Sequence, residues 1–138
     1  AALMRSVWIG PPPAAVRSMM DTALKALDAA LEAMRPGAPC SDAHAAAQAV
    51  IDAAGYTAAF RKRIGYSIGV AFAPDWGEGA ILSLFSDVAR PLEPGMVFHL
   101  PATLRSYGAY TVGASETVIV TERGVEPLST LPRTLAIR

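Results

Sequence analysis

From Ala14 to Arg35 two sets of residues recur at steps of three and four. The charged set is Arg17, Asp21, Lys25, Asp28, Glu32 and Arg35, and the apolar set is Val16, Met20, Leu24, Leu27, Leu31 and Met34. That interval belongs to an α-helix with one wet stripe and one buried stripe. Pro11-Pro12-Pro13 suits its first turn, where a missing N–H costs nothing, and Pro36-Gly37 ends it. Ser41 is a good N-cap for a second helix that runs to Ala54, with Gly55 as the residue beyond its end.

From Ile64 onward the pattern changes to short apolar runs split by turn residues. Strands are expected at Leu3–Ile9, Ile64–Phe72, Met96–Leu100, Tyr110–Val112 and Thr117–Thr121. Gly65 and Gly69 mark a bulge or a close backbone approach in the second of these. Glu93-Pro94-Gly95 fits a type II turn, and Glu122-Arg123-Gly124 fits a three-residue hairpin loop. Two helices followed by antiparallel strands give an α+β fold. At 138 residues and 52% hydrophobic, the chain has the size and apolar content of one domain.

Other classes are excluded early. The formal net charge is zero and no basic patch stands out, so nucleic acid is not the expected partner. Arg61-Lys62-Arg63 is the densest basic run and reads as a solvated turn. Cys40 is a lone thiol, which cannot form an internal disulfide, and with no partner histidine near it in sequence it reads as inert. His44 has no metal-pairing neighbour and is read as a surface residue. No apolar run approaches the roughly 18 residues of a membrane span and no signal peptide is visible, so a cytoplasmic location is expected. The opening Ala1-Ala2-Leu3, without methionine and running straight into a strand-like segment, is expected of a piece of a longer chain.

Four segments in order resemble one superfamily. They are the Arg5 strand with Gly10-Pro11-Pro12 and the helix ending Arg35-Pro36-Gly37; Gly65-Tyr66-Ser67-Ile68-Gly69; Glu93-Pro94-Gly95-Met96-Val97-Phe98; and Ser115-Glu116-Thr117-Val118-Ile119-Val120-Thr121 with Gly124. Together they resemble the pita-bread hydrolases: creatinase, ectoine hydrolase and the Xaa-Pro dipeptidases. The resemblance runs from Ala2 to about Pro132. It implies that residues 1–138 are a partial catalytic pita-bread domain, without the separate N-terminal domain and the first core strand.

The peptidases of that superfamily bind two divalent metals through two aspartates, a histidine and two glutamates. The resemblance places the second aspartate at Ala2, the histidine at Tyr66, and the glutamates at Pro101 and Ser115. A slip of one residue would put Glu116 in place of Ser115. These substitutions imply a metal-independent branch with no cofactor, and Gly65-Tyr66-Ser67-Ile68-Gly69, Pro74-Asp75-Trp76-Gly77-Glu78 and Phe98-His99 are most similar to the ectoine hydrolases.

The implied activity is hydrolysis of a C–N bond in a small cyclic or amidine-like nitrogen compound. An Xaa-Pro dipeptidase and a non-catalytic binding module are the alternatives. Strand alternation puts His99 on the face of Pro101, so His99 is the catalytic candidate, although a lone histidine on an apolar strand is also a common core residue. Tyr66, Asp75, Trp76, Glu78 and Glu116 are the candidate substrate-binding residues. Trp76 could stack on a cationic ring or simply pack a turn, and Glu116 could instead face solvent. The expected partners are a small-molecule substrate and either a second copy or the rest of a longer chain.

Overall fold

The computed structural model describes residues 2–69 and 81–138. Its elements are β1 (Val7–Trp8), α1 (Ala14–Ala33), α2 (Cys40–Ala53), a 3-10 turn (Thr57–Ala59), β2 (Gly65–Ser67), β3 (Ser83–Leu84), β4 (Val97–Ser106), β5 (Tyr110–Thr121), β6 (Gly124–Pro127) and β7 (Ala136–Ile137). An antiparallel sheet of order β3-β2-β4-β5-β6 carries the two helices on one face, and β1 pairs in parallel with β7. This is the α+β architecture that the sequence periods imply.

Alternation along β4 and β5 divides the sheet into two faces. Phe98, Leu100, Ala102 and Leu104 of β4, with Val112, Ala114, Val118 and Val120 of β5, join α1 and α2 in the core. The buried stripe of α1 is richer in small residues than its leucines suggest. Met19, Ala23, Ala26 and Ala30 are buried, while Leu24 and Leu31 pack at the margin. Ala43 and Ala47 of α2 are equally buried, and small residues let the two helices approach closely. Cys40 is in this core, and burial raises its thiol pKa, in keeping with an inert residue.

Several local expectations change. Ser41 is not the N-cap of α2: the helix starts at Cys40 after Pro39, with no side-chain cap. The free amides go instead to a distant segment, Cys40 N–H to Arg90 O at 2.9 Å and Ser41 N–H to Val88 O at 3.0 Å. His44 is not on the surface. It is 7% exposed and packs against the rings of Phe60 and Phe85. The β5–β6 hairpin turns through two residues, because Thr121 pairs with Gly124. The type II turn at Pro94-Gly95 forms as expected, with Gly95 at φ +91° and Met96 N–H bonded to Glu93 O.

The two strands expected around Tyr110 and Thr117 are one, and β4 does not stop at Leu100. A proline inside a central strand needs a reason. Ser115, opposite Pro101, turns its backbone away from β4, its N–H donating to Met4 O at 3.0 Å. The pair is therefore of the non-hydrogen-bonded kind, and the missing N–H of Pro101 faces the other side, where β2 has already ended. The Pro101 carbonyl on that side accepts from Lys62 Nζ at 2.7 Å.

Candidate active site

The sheet face away from the helices holds the side chains of chemical interest. Residues 2–6 dock along the β5 edge and close one flank. Met4 N–H donates to Ser115 Oγ at 2.7 Å, Ser6 Oγ to Gly113 O at 2.7 Å, and Thr117 Oγ1 to Ala2 O at 2.8 Å. Arg5 anchors that segment, donating to Ser115 O and to Glu116 Oε1 at 2.6 and 2.7 Å.

Strand register lines up three side chains. Tyr66 of β2 is opposite His99 of β4, and His99 is opposite Thr117 of β5. The Tyr66 and His99 rings meet edge-on with centroids 5.6 Å apart, and His99 Nδ1 lies 3.2 Å from Thr117 Oγ1. Close approach of β2 to β4 depends on Gly65. A Cβ there would sit 2.9 Å from both His99 O and Leu84 Cδ1.

This row fixes the protonation pattern of His99. A carbonyl can only accept, so the Thr117 hydroxyl spends its one hydrogen on Ala2 O. It must then accept from His99, which puts the imidazole proton on Nδ1 and leaves Nε2 as the basic nitrogen. His99 is 4% exposed. Burial, reinforced by the Lys62 ammonium, holds its pKa below the ordinary histidine value, so the ring is neutral at neutral pH. A neutral imidazole with a fixed tautomer can take a proton at Nε2.

Two cavities flank the row. One of about 420 Å³ is lined by Tyr66, Pro101, Lys62, Arg63, Ser83 and Phe85. The other, about 360 Å³, is lined by Ala2, Thr117, Ser129 and Thr130 among others. Ser115 is buried beside the row on the same face, its Oγ held by Met4 N–H.

Glu116 is not brought together with these residues. It pairs with Leu100 on the helix side of the sheet, is 2% exposed, and bonds Arg5 at 2.7 Å, with Arg133 3.9 Å away. Arg133 in turn reaches Asp28 of α1. Alternation thus gives Ser115, not Glu116, to the face of Tyr66 and His99. Asp75, Trp76 and Glu78 lie outside the described residues. Sequence reasoning passed over Thr117 and read Lys62 as part of a solvated turn, whereas it is half-buried and bonded to Pro101 O. The signal for Thr117 was alternation, two residues after Ser115 on β5; Lys62 lies before β2 begins and carried no such signal.

The sequence pattern of metallopeptidase family M24 matches residues 1–122. The chain belongs to that family. Among curated M24-like proteins it is 33% identical over 140 residues to the ectoine hydrolase of Halomonas elongata, covering 100% of the chain and 34% of that protein. It is 34% identical over 139 residues to an uncharacterized hydrolase/peptidase of Sinorhizobium fredii, again with 100% and 34% covered. It is also 38% identical over 131 residues to the agropine synthesis cyclase of Rhizobium rhizogenes, with 94% and 32% covered. The chain therefore spans about a third of the length of these relatives. Among solved M24 structures, X-Pro aminopeptidase from Thermotoga maritima superposes with a TM-score of 0.90 at 27% identity, covering 100% of the chain and 38% of that structure.

The family name implies metal ions, and the donors on this face do not fit them. The positions that the sequence resemblance assigns to the metal ligands hold a methyl group at Ala2, a phenol at Tyr66, a proline ring at Pro101 and, at Ser115, a hydroxyl already bonded to Met4 N–H. Divalent metals of this kind are held by carboxylates and imidazoles. Among the described residues no three His, Cys, Asp or Glu side chains are grouped to share an ion. No described helix is long and apolar enough to cross a membrane.

Proposed function

We propose that the protein containing this chain is a metal-independent hydrolase that cleaves a C–N bond in a small cyclic or amidine-like nitrogen compound. The observation that carries this reading is the His99 row itself. A buried neutral imidazole, its tautomer set by Thr117, lies beside Tyr66 and Pro101, positions that the resemblance assigns to metal ligands of the metallopeptidases. His99 is the proton-transfer group, using Nε2 as the base toward an attacking group and, once protonated, as the acid toward the departing nitrogen. Tyr66 lies against it in the wall of the 420 Å³ cavity, where a small substrate fits. The identity to ectoine hydrolase supports the substrate class, since that relative is named for acting on ectoine.

A second reading, Xaa-Pro peptidase activity, has the 0.90 superposition on X-Pro aminopeptidase in its favour. The side chains at Ala2, Tyr66, Pro101 and Ser115 argue against it. The experiment is to offer the whole protein, kept in excess chelator, ectoine and related cyclic amidines, and Xaa-Pro dipeptides in parallel. C–N hydrolysis of the ring compounds in chelator supports the proposal. Dipeptide hydrolysis that needs Mn²⁺ or Co²⁺ defeats it.

A further inference from the structure

The cavity beside Tyr66 has a chemical character that proton transfer at His99 does not use. Lys62 is half-buried in its wall. Its ammonium makes one hydrogen bond, to Pro101 O at 2.7 Å, and is paired with no carboxylate among the described residues. Two of its three hydrogens are left for a partner. The charges of Arg105 and Arg63 lie close enough to act on Lys62. The Arg63 guanidinium sits over the Tyr66 ring at 5.0 Å and reaches Ser83 Oγ at 3.3 Å. Among the described residues two cations, Lys62 and Arg63, thus line a small cavity that also has the apolar surfaces of Phe85 and Pro101, and Arg105 adds its charge from nearby. Holding a lysine charge partly out of water beside two like charges costs free energy unless an anion joins it. Burial, with Arg105 and Arg63 adding, pushes the Lys62 pKa down to about 8, as an ammonium short of a counter-charge should show.

We propose that this cavity is an anion subsite that seats a carboxylate of the substrate, with Lys62 as the residue that selects for it. A single compact ammonium matches a single negative charge, whereas bidentate anion recognition would call on arginine. The apolar walls suit the ring or chain that carries the carboxylate. The inference rests on the hydrolase reading for its substrate: the compound cleaved bears a carboxylate as well as the nitrogen to be released. The subsite itself stands on Lys62 and its surroundings.

Two probes test it on the whole protein. Acetate and acetamide are titrated separately while the Lys62 side-chain NMR signal and the acylation rate of Lys62, read by peptide mass mapping, are followed. Acetate should shift the signal and slow acylation, and acetamide should do neither. Lys62→Arg should keep the acetate response at the Tyr66 ring, and Lys62→Met, with unchanged circular dichroism, should lose it. Equal responses to acetate and acetamide, or an acetate response that survives Lys62→Met, overturn the subsite.

The second arm uses a cyclic nitrogen substrate in carboxylate and carboxamide forms. The carboxylate should be preferred by about 10- to 100-fold in kcat/KM, the range of one charged hydrogen bond, and Lys62→Met should erase that preference. If both forms are cleaved equally, the subsite falls and the hydrolase reading stands. If acetate binds at Lys62 but no ring compound is cleaved, the hydrolase reading falls and the anion site stands.

Discussion

Thr117 Oγ1 lies 2.8 Å from the Ala2 carbonyl and 3.2 Å from His99 Nδ1, so one hydroxyl both ties down the start of the chain and sets the tautomer of the buried imidazole. The first element of the sequence and the strand pair β4–β5 are thereby coupled at the residue with the best-placed acid–base group.

That coupling makes a graded prediction. In the whole protein His99→Ala should lower turnover by about 100-fold or more, the usual worth of a general acid or base. Thr117→Val should cost about fivefold, what a hydrogen bond near 1 kcal/mol carries, and Thr117→Ser should restore activity. The ¹⁵N shifts of His99 should show Nδ1 protonated in the parent and a mixture of tautomers in Thr117→Val. Full activity in His99→Ala together with a collapsed melting temperature would make His99 a core residue only.

Stability should depend on pH through His44. The ring is 7% exposed, its Nδ1 has no hydrogen-bond partner, and burial holds its pKa below 6.5. Below pH 6.5 the unfolded chain takes up a proton that the folded chain resists, so the folded state loses stability as the pH falls from 6.5 toward the folded pKa. His99, depressed in the same direction, adds to the loss. Denaturant melts of the parent should weaken between pH 7 and 5, and His44→Phe should flatten part of that slope. An unchanged slope in His44→Phe would show that His44 is not strained by protonation.

Gly65 should resist substitution. Its φ is not the issue; space is, because a Cβ would meet His99 O and Leu84 Cδ1 at 2.9 Å. Gly65→Ala should cost about 1–3 kcal/mol, as overpacking does, and should disturb the His99 signals because the clash is with that residue's own carbonyl. A variant as stable as the parent, with His99 unmoved, would mean that β2 slides away at no cost.

Local periodicity made the helices, the Pro94-Gly95 turn and the shared face of His99 and Pro101 readable from the sequence. What escaped it was set by contacts distant in sequence. Ser41 is a sound cap by type, but carbonyls from Val88 and Arg90 reach the α2 amides first. His44 has a polar ring on a helix, and only the placement of Phe60 and Phe85 hides it. Lys62 looked solvated beside two arginines until Pro101, in an unexpectedly continuous strand, offered it a carbonyl. Glu116 was a substrate-binding candidate by type, yet a one-residue step from Ser115 in a strand reverses the face, and Glu116 bonds Arg5 on the helix side.

The central claim is that this face works without a metal ion. Its most direct test is anomalous diffraction at the Mn or Co edge from crystals of the whole protein grown with that ion. The account predicts no peak among the strands that carry Tyr66, His99 and Ser115, because the side chains at Ala2, Tyr66, Pro101 and Ser115 supply neither carboxylate nor imidazole. A strong peak there, at coordination distance from protein oxygen or nitrogen atoms, would contradict the account and return the protein to the metallopeptidases.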